Sequence, residues 1–233
     1  QLSWRRRLAL AGAGLLLGGH WWAFFIAVKV SGVAVATLGF ASFPAFTVLL
    51  EGLLFREKVR RAEWGVVALV SLGLVLVTPN FDLGSDATLG LAWAVFSGLL
   101  FAMVSVTNRA TTAGVKPAQA ALWQNLAILL ACLPLAWSAL PTVRALDWLW
   151  IALLGLLCTA LAHSLFVASL RVLNARSASV VFALEPVYGI LFAWWLFSEQ
   201  PTLRMLFGGA LILLATLVSA RLSRHAADVK DIG

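Results

Sequence analysis

The stretch ATLGFASFPAFTVLLEGLLFRE at residues 36–57 occurs again 142 positions later, as ASVVFALEPVYGILFAWWLFSE at residues 178–199. Eight of these 22 positions are identical: Ala36, Phe40, Ala41, Pro44, Leu49, Leu54, Phe55 and Glu57 each stand 142 before their twins. Both copies set a proline, Pro44 or Pro186, inside an apolar run. A repeat of interrupted apolar helices marks a transporter built by internal duplication.

The composition around the repeat agrees. Apolar residues make up 62% of the chain and charged residues 12%, where a soluble domain carries about a quarter charged. Runs long enough to cross a bilayer, which takes roughly 20 residues, fall at Leu8–Val28, Val33–Phe55, Trp64–Thr78, Leu89–Thr107, Ala118–Trp137, Leu149–Val172, Ser177–Phe197 and Met205–Ala220. The fold class expected is therefore an all-α polytopic membrane bundle of eight spans, joined by connections too short to hold a soluble domain.

The net charge of +7 does not indicate nucleic acid, because the basic residues lie between spans and form no aromatic-interleaved face. Numbered across the spans, one side receives Arg5, Arg6, Arg7, Arg56, Lys58, Arg60, Arg61, Arg109, Lys116, Arg171, Arg176, Arg221, Arg224 and Lys230, and the other only Lys29, Arg144 and Arg204. By the positive-inside rule the rich side is cytoplasmic. Both ends of the chain are thus expected in the cytoplasm, with the chain in a bacterial inner membrane. Arg5–Arg7 reads as an anchor of this kind rather than a signal peptide, since the run after it is long and seven more follow. Cys132 and Cys158 lie in different apolar spans and read as soft packing residues rather than a disulfide.

The offset pairs span 1 with span 6, span 2 with span 7 and span 3 with span 8, and leaves spans 4 and 5 unpaired. The repeat unit is then five helices, with the second unit starting near Asp86. Carried backwards, the same offset places about 57 residues and two helices ahead of Gln1. Eight of ten helices would be present: residues 1–80 the last three of the first repeat, residues 81–223 the whole second repeat, residues 224–233 a cytoplasmic tail. Because five is odd, the second unit enters from the opposite side, which gives the inverted repeats on which alternating access around a midplane site is built. Small residues every fourth position, at Gly14 and Gly18 and at Gly90, Ala94, Gly98 and Ala102, predict close helix contacts.

Glu185 is the most informative position for chemistry. It precedes Pro186 about eight residues into span 7, where an unpaired carboxylate costs several kcal/mol. One reading is a carboxyl facing a central cavity, binding a cationic group or a coupling proton; the other is a structural carboxyl paired through Arg176 or His163. The first copy has Phe43 at this position. Pro44 and Pro186 each remove a backbone donor and free the carbonyl of Phe40 or Phe182, so both spans should kink or break near the midplane, as hinges or as static bends.

His20 and His163, 143 apart, occupy nearly equivalent places in spans 1 and 6, and either relay protons or join helices as neutral imidazoles. No second ligand stands at i+3 or i+4 of either, so no metal is expected. Asn108, Gln124 and Asn125 offer neutral hydrogen-bonding groups to a substrate or between helices. Among the aromatic residues, Trp21 and Tyr188 stand out beside His20 and near Glu185.

These residues resemble a known family. Ala183-Leu184-Glu185-Pro186-Val187 through Glu199, followed by Gly208-Gly209-Ala210-Leu211-Ile212-Leu213, is similar to the closing helices of EamA-type members of the drug/metabolite transporter superfamily. Ser42-Phe43-Pro44 through Arg56-Glu57, and then Gly65, resembles the fourth and fifth helices of the same family. The resemblance covers the chain as helices three to ten. It implies a ten-helix carrier of twice five inverted helices, commonly an exporter of small metabolites, with a cavity formed by both halves. The first two helices of the family pattern have no counterpart here.

The function expected is secondary active or facilitated transport of a small metabolite, such as an amino acid or a derivative, by alternating access. A multidrug or cationic-compound exporter is the alternative. A membrane enzyme is disfavoured, as there is no Gly-x-Ser-x-Gly, no His-Glu-x-x-His and no close pair of intramembrane aspartates; a scaffold that moves nothing is disfavoured by the duplicated prolines. No Gly-x-x-x-x-Gly-Lys-Ser/Thr run is present, and no cofactor is expected. The partners expected are a small-molecule substrate and membrane lipid, with protons as a coupling ion and a second copy of the chain as open options, and no nucleic acid.

Overall fold

A computed structural model describes residues 3–56, 59, 61–77, 85–111, 114–161 and 185–230. Every regular element among them is helical: α1 (Trp4–Phe40), α2 (Phe43–Leu54), α3 (Arg61–Val77), α4 (Asp86–Thr111), α5 (Pro117–Ala136), α6 (Ala145–Leu153) running into a π-helical stretch (Leu154–Leu161), α7 (Glu185–Phe197) and α8 (Leu203–Lys230). Proline stands in the first turn of α2 and of α5, where its missing N–H has no helical partner to lose.

By length and composition Trp4–Phe40, Asp86–Asn108 and Ala118–Ala136 are each apolar and long enough to cross a bilayer, while Phe43–Leu54, Ala145–Leu161, Val187–Phe197 and Leu203–Val218 are shorter apolar helices. Trp4–Phe40 holds the first expected span and the start of the second, because α1 is not one rod. Gly32 sits inside it at φ 83 and ψ 170, a left-handed setting that glycine adopts without a Cβ penalty. On a straight helix Phe24 and Phe40 would lie about 24 Å apart at 1.5 Å per residue, yet their ring centroids are 5.9 Å apart. α1 is a hairpin of two arms, residues 4–31 and 33–40, folded at Gly32. The second arm, the interruption at Ala41 and Ser42, and α2 then make up one broken span over residues 33–54.

The small-residue stripes lie where the helices touch. A Cβ on Gly14 would collide with the Gln124 backbone and one on Gly18 would meet Ile128 at 3.3 Å, so the first arm packs on α5. On α4, Gly90 lies against Ser31, Ala94 against Gly39, and Gly98 against Ser42 and Phe40. These approaches replace the apolar driving force that lipid does not supply. Large apolar side chains instead point outward, among them Trp22, Phe25, Leu129, Leu130, Trp150 and Trp195, as on a lipid-facing surface. Cys132 and Cys158, free thiols, are also exposed rather than packed inside.

α3 and α8 pack through Gly73 and Gly208, each of which would place a Cβ within 2.8 Å of the other's carbonyl oxygen. The buried residues of α3 are Val66, Val70, Gly73 and Val77; displaced by 142, Val66, Val70 and Gly73 become Gly208, Ile212 and Ala215, all buried on α8. Val66 and Ala215 share one apolar cluster. The contact thus runs from 73 to 208 and from 66 to 215, so the two helices are antiparallel and meet through equivalent faces, as inverted twins do.

Candidate functional site

The first arm of α1 carries His20 into the bundle, where it is 7% exposed. Its Nδ1 lies 2.8 Å from Ser97 Oγ and 3.2 Å from the Ser97 carbonyl oxygen on α4. Ser97 Oγ is also 3.1 Å from the His20 carbonyl oxygen. With the hydroxyl donating to His20 O, Nδ1–H is shared between Ser97 O and Oγ; with the hydroxyl donating to Nδ1 at 2.8 Å, the ring proton sits on Nε2. In either tautomer Nε2 has no partner among the described residues.

Rings close around it. The imidazole centroid lies 5.0 Å from Phe40, 5.0 Å from Phe101 and 6.3 Å from Phe24. Phe43 stacks on Phe40 at 5.3 Å and meets Phe101 edge-on at 5.3 Å. Both arms of the hairpin, the start of α2 and α4 therefore contribute to one cage.

The break in the second span borders this cage. Ala41 N–H donates to Thr37 O and Ser42 N–H to Gly39 O, after which the helix restarts with Ala45 N–H on Ser42 O. The donor that would reach the Phe40 carbonyl is that of Pro44, which has none. The carbonyl instead lies over Gly98, where a Cβ would stand 3.0 Å from it. Pro44 is expected to kink a continuous helix; it stands in the first turn after the interruption, which falls two residues earlier, at Ala41 and Ser42.

α7 crosses the second arm. Gly189 packs on Thr37, at 2.8 Å from a built Cβ, and the Glu199 carboxylate accepts the N–H groups of Val33 at 2.9 Å and Ala34 at 3.1 Å. This antiparallel register brings Glu185, one turn before Gly189 on the same face, to the level of the break. Glu199 caps the second arm, and a side chain on Gly32 would approach its carboxylate oxygen to 2.7 Å. Local pairing or capping is what its place after α7 predicts; the identity of the partner, 165 residues away, is not legible from sequence.

The other candidates fall elsewhere. Gln124 Nε2 donates to Asn108 Oδ1 at 2.6 Å and ties α5 to α4. Asn125 turns outward and bonds to Ala121 O. Trp21 is half-buried and makes no ring contact with His20. Tyr188 is exposed, beside Leu191, Phe192, Trp194 and Trp195 on the outer side of α7. His163, Arg176 and Phe182 lie outside the described residues, as does the side chain of Pro186. The partners missed by sequence reading are Ser97, Phe40, Phe43 and Phe101; helical spacing from His20 does not reach them, although the α4 stripe ending at Ala102 marks the face that carries Ser97 and Phe101.

The EamA-like transporter family model matches residues 1–78 and 88–221. An uncharacterised transporter of Archaeoglobus fulgidus is 28% identical over 199 residues, which cover 85% of this chain and 71% of that protein. The pseudopaline exporter CntI of Pseudomonas aeruginosa is 29% identical over 205 residues, 85% of this chain and 69% of its own length. The S-adenosylmethionine uptake transporter of Rickettsia prowazekii is 22% identical over 210 residues, covering 89% and 69%. One crystal structure, 22% identical, superposes with a TM-score of 0.62 over 97% of this chain and 78% of its own, a likeness of fold. With a family model that matches nearly its whole length, on a bundle of apolar helices, this chain belongs to the EamA-like transporter family and is an integral membrane transporter.

Proposed function

We propose that the chain moves a small amphipathic metabolite, such as an amino acid or a derivative, outward across a bacterial inner membrane by alternating access around the His20 cage, with both ends in the cytoplasm. The observation that supports this most is the interruption of the second span at Ala41 and Ser42. It leaves the Phe40 carbonyl without its helical donor beside a buried, half-satisfied imidazole. Non-helical backbone at membrane depth is tolerated where it lines a site, and broken helices form the binding sites of inverted-repeat carriers. Glu185, brought to the level of the break, is the candidate for substrate or proton coupling, and Pro44 and Pro186 are the candidate hinges.

Relatives named as an exporter and as an uptake transporter make direction a matter for measurement. Proteoliposomes loaded on either side with amino acids, nucleosides or cationic compounds, with and without an imposed pH gradient, are expected to give saturable flux favouring exit from the cytoplasmic face. Flux that proceeds equally in both orientations under every gradient would refute coupled export. Equal flux for wild type and Glu185→Gln would remove Glu185 from the coupling step.

A further inference from the structure

We propose, building on the alternating-access reading, that Glu199 is a latch between the α1 hairpin and α7. Its carboxylate holds the hairpin tip in the arrangement described above, and it leaves that tip when the bundle opens at the same end.

The hairpin tip has no cap of its own. The second arm starts after Gly32, so the N–H groups of Val33 and Ala34 fall in its first turn and find no acceptor within the arm. A helix is ordinarily capped there by a side chain from the residue beside it. Gly32 has none, and the hydroxyl of Ser31 donates back into the first arm, to Ala27 O at 2.9 Å. Both N–H groups go instead to the Glu199 carboxylate, at 2.9 and 3.1 Å, an anion on the positive end of a helix. Donors and acceptor belong to different copies of the repeat. A cap borrowed in this way makes the closed turn conditional on α7 staying beside it.

The end of α7 presents that carboxylate. Ser198 takes φ 57, a left-handed setting unfavourable to any residue with a Cβ, and Glu199 N–H turns back on Ala193 O at 3.2 Å. Arg56, 142 positions earlier at the end of α2, takes φ 55, so the left-handed exit is a property of the repeat and not of the serine. Further along the crossing, Gly189 lies on Thr37, whose hydroxyl donates within its own arm to Val33 O and Ala34 O. That contact parts without breaking a hydrogen bond. Among the described residues, the hydrogen bonds between α1 and α7 are gathered at Glu199.

Double electron–electron resonance on the protein in lipid nanodiscs tests the latch, with Cys132 and Cys158 replaced by serine and spin labels at Lys29→Cys and Trp195→Cys. Both positions are exposed and stand in helix bodies, so fraying of Val33 and Ala34 alone does not move them. Wild type is expected to give a major short and a minor long distance. Glu199→Ala should raise the ratio of long to short about tenfold, and Glu199→Gln, which keeps the side-chain shape and one carbonyl acceptor, by less. If Glu199→Ala does not fold, the rise in Glu199→Gln carries the test. A single short distance unchanged by the substitutions overturns the latch and makes Glu199 a static cap, as does faster amide exchange at Val33 and Ala34 with no gain in the long distance. A long-distance gain without flux of any metabolite in proteoliposomes would overturn the transport reading and keep the latch; flux with an unchanged distribution would do the reverse.

Discussion

Phe43 and Glu185 occupy the same place in the two copies of the repeat, and the structure gives each a different setting. Phe43 reads in the sequence only as the uncharged counterpart of Glu185, because its partner Phe101 lies 58 residues away on α4 and leaves no local pattern. Ser97 is hidden for the same reason: a lone serine in an apolar helix carries no signal until His20 stands opposite. His20 itself was legible, since a histidine inside a span invites a partner. Ser97→Ala removes the Oγ contact but leaves the Ser97 carbonyl, so it should cost about 1 kcal/mol, seen as a fall of a few degrees in the melting temperature in detergent, while His20→Ala falls further. Glu199→Ala uncaps the second arm of α1 and should cost about 0.5–2 kcal/mol, read as faster amide exchange at Val33 and Ala34. Outside the membrane, Arg144 holds the Asp147 carboxyl below the usual carboxylate range through bonds of 2.8 and 2.9 Å. A depressed folded pKa means the stabilisation is present above the ordinary carboxylate pKa and lost as pH falls through the lower, folded one. Asp147→Asn should therefore make stability less sensitive to acid as pH falls below the ordinary carboxylate pKa of about 4, by a small amount because the pair is solvent-exposed.

At the scale of elements, the sequence separates spans 1 and 2 where α1 folds back on itself, at Gly32. What it could not supply is the sharpness of the fold at Gly32, which depends on the Glu199 carboxylate from another repeat. Gly32→Ala meets both a strained positive φ and that carboxylate, and should destabilise by more than about 1 kcal/mol; a melting temperature equal to wild type would mean that the turn is looser than its geometry. Pro44 allows a sharper test of the break. Pro44→Ala restores a backbone donor that can reach the Phe40 carbonyl and rejoin the second arm to α2. The expected result is an equal or higher melting temperature together with slower flux; unchanged flux would show that the interruption is a static bend. The π-helical stretch Leu154–Leu161, with Thr159 bonded back to Leu154 O at 3.1 Å, has no counterpart in the helical periodicity, since one inserted residue per turn does not alter an all-apolar pattern.

The molecule as a whole is where the repeat is most informative. The offset found in residues 36–57 also relates the buried face of α3 to that of α8, beyond the stretch where identity is visible, because packing preserves size and burial longer than it preserves residue type. A crossing of equivalent faces lies on the axis that exchanges the two halves, so it should stay in contact while the halves rock. In a background lacking Cys132 and Cys158, a cross-link between Val66→Cys and Ala215→Cys should leave flux within about twofold of the uncross-linked protein. A link between Val33→Cys and Glu199→Cys, away from that axis, should arrest it. Comparable arrest by both links would place the moving surface elsewhere. A surface that recognises its own duplicate is the surface by which two separate, unfused halves would have paired, so the seam between α3 and α8 preserves the geometry of a homodimer inside a single polypeptide.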